Sequence, residues 1–238
     1  MKVVFITGGS RGIGRAMVEL FTDAGYLVAF TYKSSHVAAE ELASRTGALA
    51  IAADSANPDD IVKAINTVEE KLGNINILIN NAAVSSFLLF TDISLEAWRA
   101  TFATNVDAAF LYSKLTLPSM IRNRFGRIIN ISSMWGQVGS SCEVHYSSTK
   151  AALIGMTKAL AKEVGPSGIT VNCIAPGVID TDMNASLSDE DMSALKEETP
   201  LMRIGTPREV AAAALFLAGE DAAFITGAVI NVNGGLVV

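Results

Sequence analysis

This 238-residue chain has little cysteine, little histidine and few aromatic residues. Its two cysteines, Cys142 and Cys173, stand far apart and outside any CxxC or zinc-ligand spacing, which excludes a disulfide framework and a cysteine-built metal site. Both are expected to be thiols in a reducing cytoplasm. No apolar run reaches the ~18–20 residues of a membrane-spanning helix, and the first eight residues run into a strand instead of a signal peptide. A cytoplasmic protein without a membrane partner is expected. The formal net charge is −6, so a phosphate backbone would meet net repulsion and nucleic acid is not expected as a partner. Charged residues make up 18% of the chain and hydrophobic ones half of it, which suits a sheet buried on both faces. The length fits one large domain over residues 1–238.

Short apolar runs alternate with helical patterns. Strands are predicted at Val3–Ile6, Leu27–Tyr32, Ala48–Ala52, Ile75–Ile79, Gly126–Ile131, Thr170–Ile174 and Ala228–Val232. Helices are predicted at Gly12–Asp23, His36–Arg45, Pro58–Leu72, Val144–Val164 and Pro207–Leu217, with a further long helix before the fifth strand. This alternation implies an α/β fold, a Rossmann-like doubly wound sheet of seven parallel strands with helices on both faces. Ligand then binds at the carboxyl ends of the strands. The stretch 182–205 breaks the rhythm after strand six, where a substrate lid would be placed.

Two constellations carry chemistry. Gly8, Gly12 and Gly14 occupy a strand-to-helix turn with Ser10, Arg11 and Ile13 between them. Such a turn needs positive φ and close backbone approach, and the helix start offers unpaired N–H groups to a pyrophosphate. Ser133, Tyr146 and Lys150 form the second. Positions 146 and 150 share a helix face, so a phenol and an ammonium can reach one ligand. Reduction of a ketone needs a hydride at carbon and a proton at oxygen. Tyr146 is the candidate proton donor, Ser133 orients the substrate oxygen, and Lys150 supplies charge that favours the phenolate. At the end of strand two, where a carboxylate would hold the ribose of NAD, stand Tyr32 and Lys33, with Arg11 in the facing glycine loop. An ammonium and a guanidinium attract a 2′-phosphate, so NADP(H) is the expected cofactor. His145, beside Tyr146, is read as a structural or pocket-wall residue and His36 as surface. No metal ligands are expected.

The GxxxGxG spacing resembles the fingerprint of short-chain dehydrogenases/reductases. The likeness runs the length of the chain through Asp54, Asn80-Asn81-Ala82, Asn105, Ser133, Tyr146, Lys150 and Pro176-Gly177. Ala83 departs from it, standing where the family has glycine, and its methyl would crowd the adenosine ribose slightly. The resemblance implies that Asp54, with Ser55 beside it, contacts the adenine and that Asn81 and Ala82 line the adenosine pocket. It implies that Ile179 offers its backbone to the carboxamide, with Thr181 near the phosphates, and that Asn105 holds a water beside Lys150. It also implies a homotetramer built through the helices bearing Asn105 and Tyr146 and through the last strand.

For the substrate, the Gly-Ile-Thr-Val-Asn and Ala-Pro-Gly-Val-Ile-Asp segments look like 3-oxoacyl-acyl-carrier-protein reductases, whose acidic carrier would dock on arginines. Arg124 and Arg127 fit such a patch, although Ser167 replaces its second basic position. A narrower resemblance, through Ser132-Ser133-Met134-Trp135-Gly136 and Cys142-Glu143-Val144, is to elongation factor P 5-aminopentanone reductases. There Glu143 would receive a substrate ammonium, with Trp135 and Met183 walling the pocket and Asp189, Glu190, Asp191, Glu197 and Glu198 adding acid on the lid. A non-catalytic NADP(H)-binding regulator is the alternative of another class. Having both Tyr146 and Lys150 favours an enzyme.

Overall fold

The computed structural model describes residues 1–184 and 188–238. Seven strands form one sheet: β1 (Val3–Ile6), β2 (Leu27–Tyr32), β3 (Leu49–Ala52), β4 (Ile75–Asn80), β5 (Gly126–Ile131), β6 (Ile169–Pro176) and β7 (Val229–Val232). Their order is β3-β2-β1-β4-β5-β6-β7, and every pairing is parallel. The direction of winding reverses between β1 and β4, which opens a crevice at their carboxyl ends.

Side-chain alternation along the strands divides the core. Val4 and Ile6 face one side with Phe30, Ile77 and Ile79, while Val3 and Phe5 face the other with Leu78, Ile128 and Val171. Helices α1 (Gly12–Asp23), α2 (His36–Thr46) and, at the chain's end, Pro207–Ala218 cover the first side through Met17, Phe21, Leu42, Val210 and Leu217. The second side takes α3 (Pro58–Leu72) through Ile61, Ile65 and Val68. It also takes the rod formed by α4 (Leu95–Phe102) and α5 (Ala108–Asn123), through Tyr112 and Met120. Each fully buried side chain of this size contributes roughly 2 kcal/mol.

A single wide turn, Ala103–Asp107, joins α4 to α5 as a π-helical bulge, and Asn105 lies inside it. After β5 come a short helix α6 (Trp135–Val138) and the long α7 (Val144–Val164). The segment expected as a lid contains a 3₁₀ turn at Asp182–Asn184 and the helix α8 (Asp189–Glu198), before α9 (Pro207–Ala218). Residues 185–187 of that segment lie outside the described residues. Ser188 caps α8 by accepting the Asp191 amide while its own amide reaches the Asp191 carboxylate, and Thr206 with Glu209 repeats the device on α9. No helix among the described residues is long and apolar enough to cross a membrane.

Polar ladders fix the strand ends behind the crevice. Asn80 on β4 donates to Asn130 on β5 at 2.8 Å, and Asn130 donates to Thr157 on α7 at 2.8 Å. All three are buried, so each bond forms where water cannot replace it. The sheet is thereby tied to the helix that carries the chemistry.

Candidate active site

The glycine turn is built by close approach. Gly8 and Gly12 have φ of +69° and +53°, which a side chain would strain. A Cβ on Gly14 would lie 2.1 Å from the Gly8 carbonyl oxygen, and one on Gly12 would lie 3.3 Å from Thr181 Cγ2. Thr181 therefore stands over the glycine turn. Gly14→Ala must push Gly8 away from Asn81, whose Nδ2 donates to the carbonyls of Thr7 and Gly8 at 3.0 and 2.9 Å. The expected cost is about 2 kcal/mol, read as a melting temperature lower by roughly 5 °C.

Two residues with no expected role hold this turn. Thr7 Oγ1 accepts the amides of Asn81 and Ala82, both at 2.9 Å, and Thr31 Oγ1 accepts the Gly8 amide at 3.0 Å. A threonine hydroxyl at a strand end is the only signal the sequence offers for either. With Gly9 N also on Thr31 O at 2.8 Å, the turn lies against the end of β2.

That placement brings Arg11, at the start of α1, and Lys33, just past β2, to the same rim. Both are exposed, whereas Ser10 is buried and Ile13 half-buried. Lys33 Nζ pairs with Asp54 Oδ2 at 2.7 Å, and Asp54 Oδ1 accepts the Ala56 amide. Burial pushes the Asp54 carboxyl up, but the Lys33 ammonium and the Ala56 amide outweigh it and hold it below its ordinary value. Ser55, next along, is buried. At this rim α1 and α2 start with no acid in the first turn and no side-chain cap. Their first amides and dipoles are left to attract an anion. Glycines that admit no side chain, helix starts without acid and a cationic rim fit a phosphorylated dinucleotide.

Ser133, Tyr146 and Lys150 converge as expected at the carboxyl end of β5. All three are buried, and the Ser133 hydroxyl stands close enough to the Tyr146 phenol to pull it downward. Ser133 Oγ also accepts the Trp135 amide at 3.1 Å. Lys150 Nζ lies 5.5 Å from the Tyr146 ring centre and donates to the Ile131 carbonyl at 2.8 Å. The electrostatics differ from the sequence expectation. Burial, then the Glu143 carboxylate, push the phenol well above its ordinary value, and Ser133 opposes them. Burial also pulls Lys150 down to about 8, against a smaller pull upward from Cys173. Burial and Glu143 thus favour the protonated phenol, and Lys150 is not among the groups pulling it down.

Asn105 is buried, and its side chain is committed. Its Oδ1 accepts the Val84 amide at 2.8 Å, and its Nδ2 donates to Val84 O and Thr149 Oγ1 at 2.9 and 3.0 Å. It thus ties the loop after β4 to α7 one residue before Lys150. The turn after β6 runs through buried Pro176 and half-buried Gly177, and a Cβ on Gly177 would lie 2.7 Å from Asn233 Cα. Ile179 pairs with Gly205 across the base of the expected lid. Glu143 is half-buried and accepts Ser85 Oγ at 2.6 Å. Trp135 is half-buried, while Met183 is about half exposed at 52%.

One expectation about docking is corrected. Arg127 is buried, because it lies within β5, whose side chains are covered on both faces. Its guanidinium stacks 4.6 Å from the Phe125 ring centre and donates to Gly126 O. Arg124 alone of that pair stays on the surface.

Residues 8–237 match the family model described as enoyl-(acyl carrier protein) reductase. The chain belongs to the short-chain dehydrogenase/reductase family. A 3-oxoacyl-acyl-carrier-protein reductase of Aquifex aeolicus is 44% identical over 99% of this chain and 97% of its own. The reductase of the same name from Escherichia coli is 37% identical over the same shares. A solved mutant of a Serratia marcescens short-chain dehydrogenase/reductase superposes with a TM-score of 0.92 at 37% identity, covering 99% of this chain and 97% of that one. Membership in this family makes the chain an oxidoreductase acting at a carbonyl or alcohol carbon.

Proposed function

We propose that the chain is an NADPH-dependent ketone reductase of the 3-oxoacyl-acyl-carrier-protein type. The convergence of Ser133, Tyr146 and Lys150 below the glycine turn is the observation that carries this reading, and relatives of that name support it. The preference for NADPH rests on Arg11 and Lys33 at a rim where β2 ends without a carboxylate.

When bound, the reduced nicotinamide supplies the hydride. Gly8, Gly12 and Gly14 with the start of α1 hold the phosphates, Lys33 and Arg11 the 2′-phosphate, and Asp54, Ser55, Asn81 and Ala82 the adenosine end. Pro176, Gly177 and Ile179 close on the nicotinamide side, with Thr181 near the phosphates. Ser133 orients the ketone oxygen, and Tyr146 holds the proton that this oxygen takes as the carbon accepts hydride. A phenol kept protonated by burial suits reduction. Lys150 holds the ribose hydroxyls, and Asn105 keeps the wall behind it in place. The 3₁₀ turn at Asp182–Asn184 and α8 cover the substrate, and half-exposed Phe110 on α5 and fully exposed Phe224 before β7 support assembly into a homotetramer.

Lys150 gives this reading a pH signature. Its amine is charged below about 8 in the folded chain and neutral above it. NADPH binding is therefore expected to weaken as pH rises through about 8. Lys150→Met should bind more weakly but show no such limb; titrations of NADPH affinity from neutral to alkaline pH check both.

A second substrate, the ketone on a modified elongation factor P, is favoured by Glu143. This carboxylate sits at the start of α7 without capping it, turned to Ser85 and close enough to Tyr146 to raise it. Among the described residues it has no cationic partner within ion-pair distance, and a substrate ammonium would supply one. NADPH oxidation against an acetoacetyl thioester and a ketone-bearing elongation factor P separates the two. Turnover of the thioester alone supports the first reading, and turnover of the factor alone the second.

A further inference from the structure

The first turn of α7 carries Tyr146, directly after Val144 and His145. A helix's first amides lack intrahelical acceptors, and fraying begins there unless a cap holds the turn. This start has no side-chain cap and no acid in its first turn. It is entered through Gly139 at φ +78° and Cys142 at φ +60°, the latter a conformation unfavourable for a residue with a Cβ.

Besides the Ser140 amide, which donates to Ser147 Oγ at 3.1 Å, the loop after β4 restrains this turn. Ser85 Oγ donates to Glu143, Ser86 Oγ bonds His145 Nε2 at 2.7 Å, and the Leu88 amide donates to the Cys142 carbonyl at 2.8 Å. Asn105 grips the same loop at Val84 from the π-helical turn. His145 is wholly buried, yet its Nδ1 has no hydrogen-bond partner among the described residues. The imidazole is anchored through Nε2, on a serine that is itself exposed. A ring neither paired on both nitrogens nor solvated is a poor choice for packing alone.

We propose that Ser86 and His145 are a positioning pair that holds the first turn of α7, and so sets Tyr146 against Ser133. The pair replaces the absent helix cap with a side-chain bond from a neighbouring loop. Through Asn105 that loop is also tied to the stretch of α7 before Lys150. The inference rests on Tyr146 being the proton donor.

Ser86→Ala tests it, because an exposed serine is removed without opening the core. With an acetoacetyl thioester, kcat is expected to fall about tenfold, while the ketone KM and the NADPH Kd stay within about twofold. Exchange of the Ser147, Ser148 and Thr149 amides, the first to bond back along the helix, should speed about tenfold without change in the rest of α7. The chain holds only two histidines, so selective ¹⁵N labelling reads the His145 ring directly, with His36 as internal reference. Its Nε2 signal should move in Ser86→Ala. His145→Gln, whose amide can still bond Ser86, should keep most of the wild-type kcat. Unchanged exchange and ring signals would overturn the proposal. So would faster exchange at full kcat, which would make the contact merely structural. Tyr146→Phe run beside it separates the premises: retained turnover there defeats the donor reading, whereas loss there with a silent Ser86→Ala defeats only the positioning pair.

Discussion

Tyr146→Phe is expected to lower ketone reduction about 10³-fold while leaving NADPH affinity within about twofold. The phenol is buried beside Ser133 and kept protonated by its surroundings, and the proposed reading makes its proton the one the ketone oxygen takes. A positioned general acid contributes ~10²–10⁴ in rate, and the ring that remains preserves packing. Ser133→Ala should cost less, about 10²-fold, since it removes orientation and one hydrogen bond but leaves the donor. Steady-state rates with an acetoacetyl thioester, set beside NADPH binding isotherms, check the pair. A Tyr146→Phe enzyme that retained a tenth of the wild-type rate would remove Tyr146 from the donor role.

The second large effect concerns the cofactor. Lys33→Asp is expected to shift the ratio of kcat/KM for NADPH over NADH by at least about 100-fold toward NADH. Losing one charge-assisted bond to a phosphate costs roughly 1.5–3 kcal/mol, and a carboxylate in its place adds repulsion. The same carboxylate can accept the 2′-hydroxyl of NADH. Lys33 is exposed, so the substitution should not disturb folding. Removal of the Lys33–Asp54 pair has a consequence of its own: the Asp54 carboxyl, now beside another acid, should rise from its depressed value. An unchanged cofactor ratio would assign the 2′-phosphate to Arg11 and the starts of α1 and α2 alone.

The fold was readable because its signals are local and repeated. Val3-Val4-Phe5-Ile6 is apolar throughout, as a strand covered on both faces must be, and Gly8 and Gly25 punctuate the elements around it. Boundaries moved by at most two residues; β6, for example, begins at Ile169 and runs on to Pro176. The juxtaposition of Tyr146 and Lys150 was readable through spacing, since positions four apart on a helix share a face. What the sequence could not show depends on contacts between distant segments. The π-helical turn around Asn105 has no composition signal, and neither do the Thr7 and Thr31 hydroxyls that lock the glycine turn. Arg127 fits a basic patch by its charge alone, and only its place within a strand covered on both faces buries it. Proximity along the helix does not give the effect of Lys150 on Tyr146, because burial dominates both groups and the ammonium donates to Ile131 O. Ser86 carries no motif, and only its place opposite His145 gives it a role.

The measurement closest to the central claim is a single turnover of the purified protein with NADPH deuterated at the transferring carbon and an acetoacetyl thioester. One deuterium at the new carbinol carbon, formed by the wild type and essentially absent with Tyr146→Phe, is the expected result. NADPH held tightly with no deuterium passed to this ketone or to a ketone-bearing elongation factor P would contradict the account.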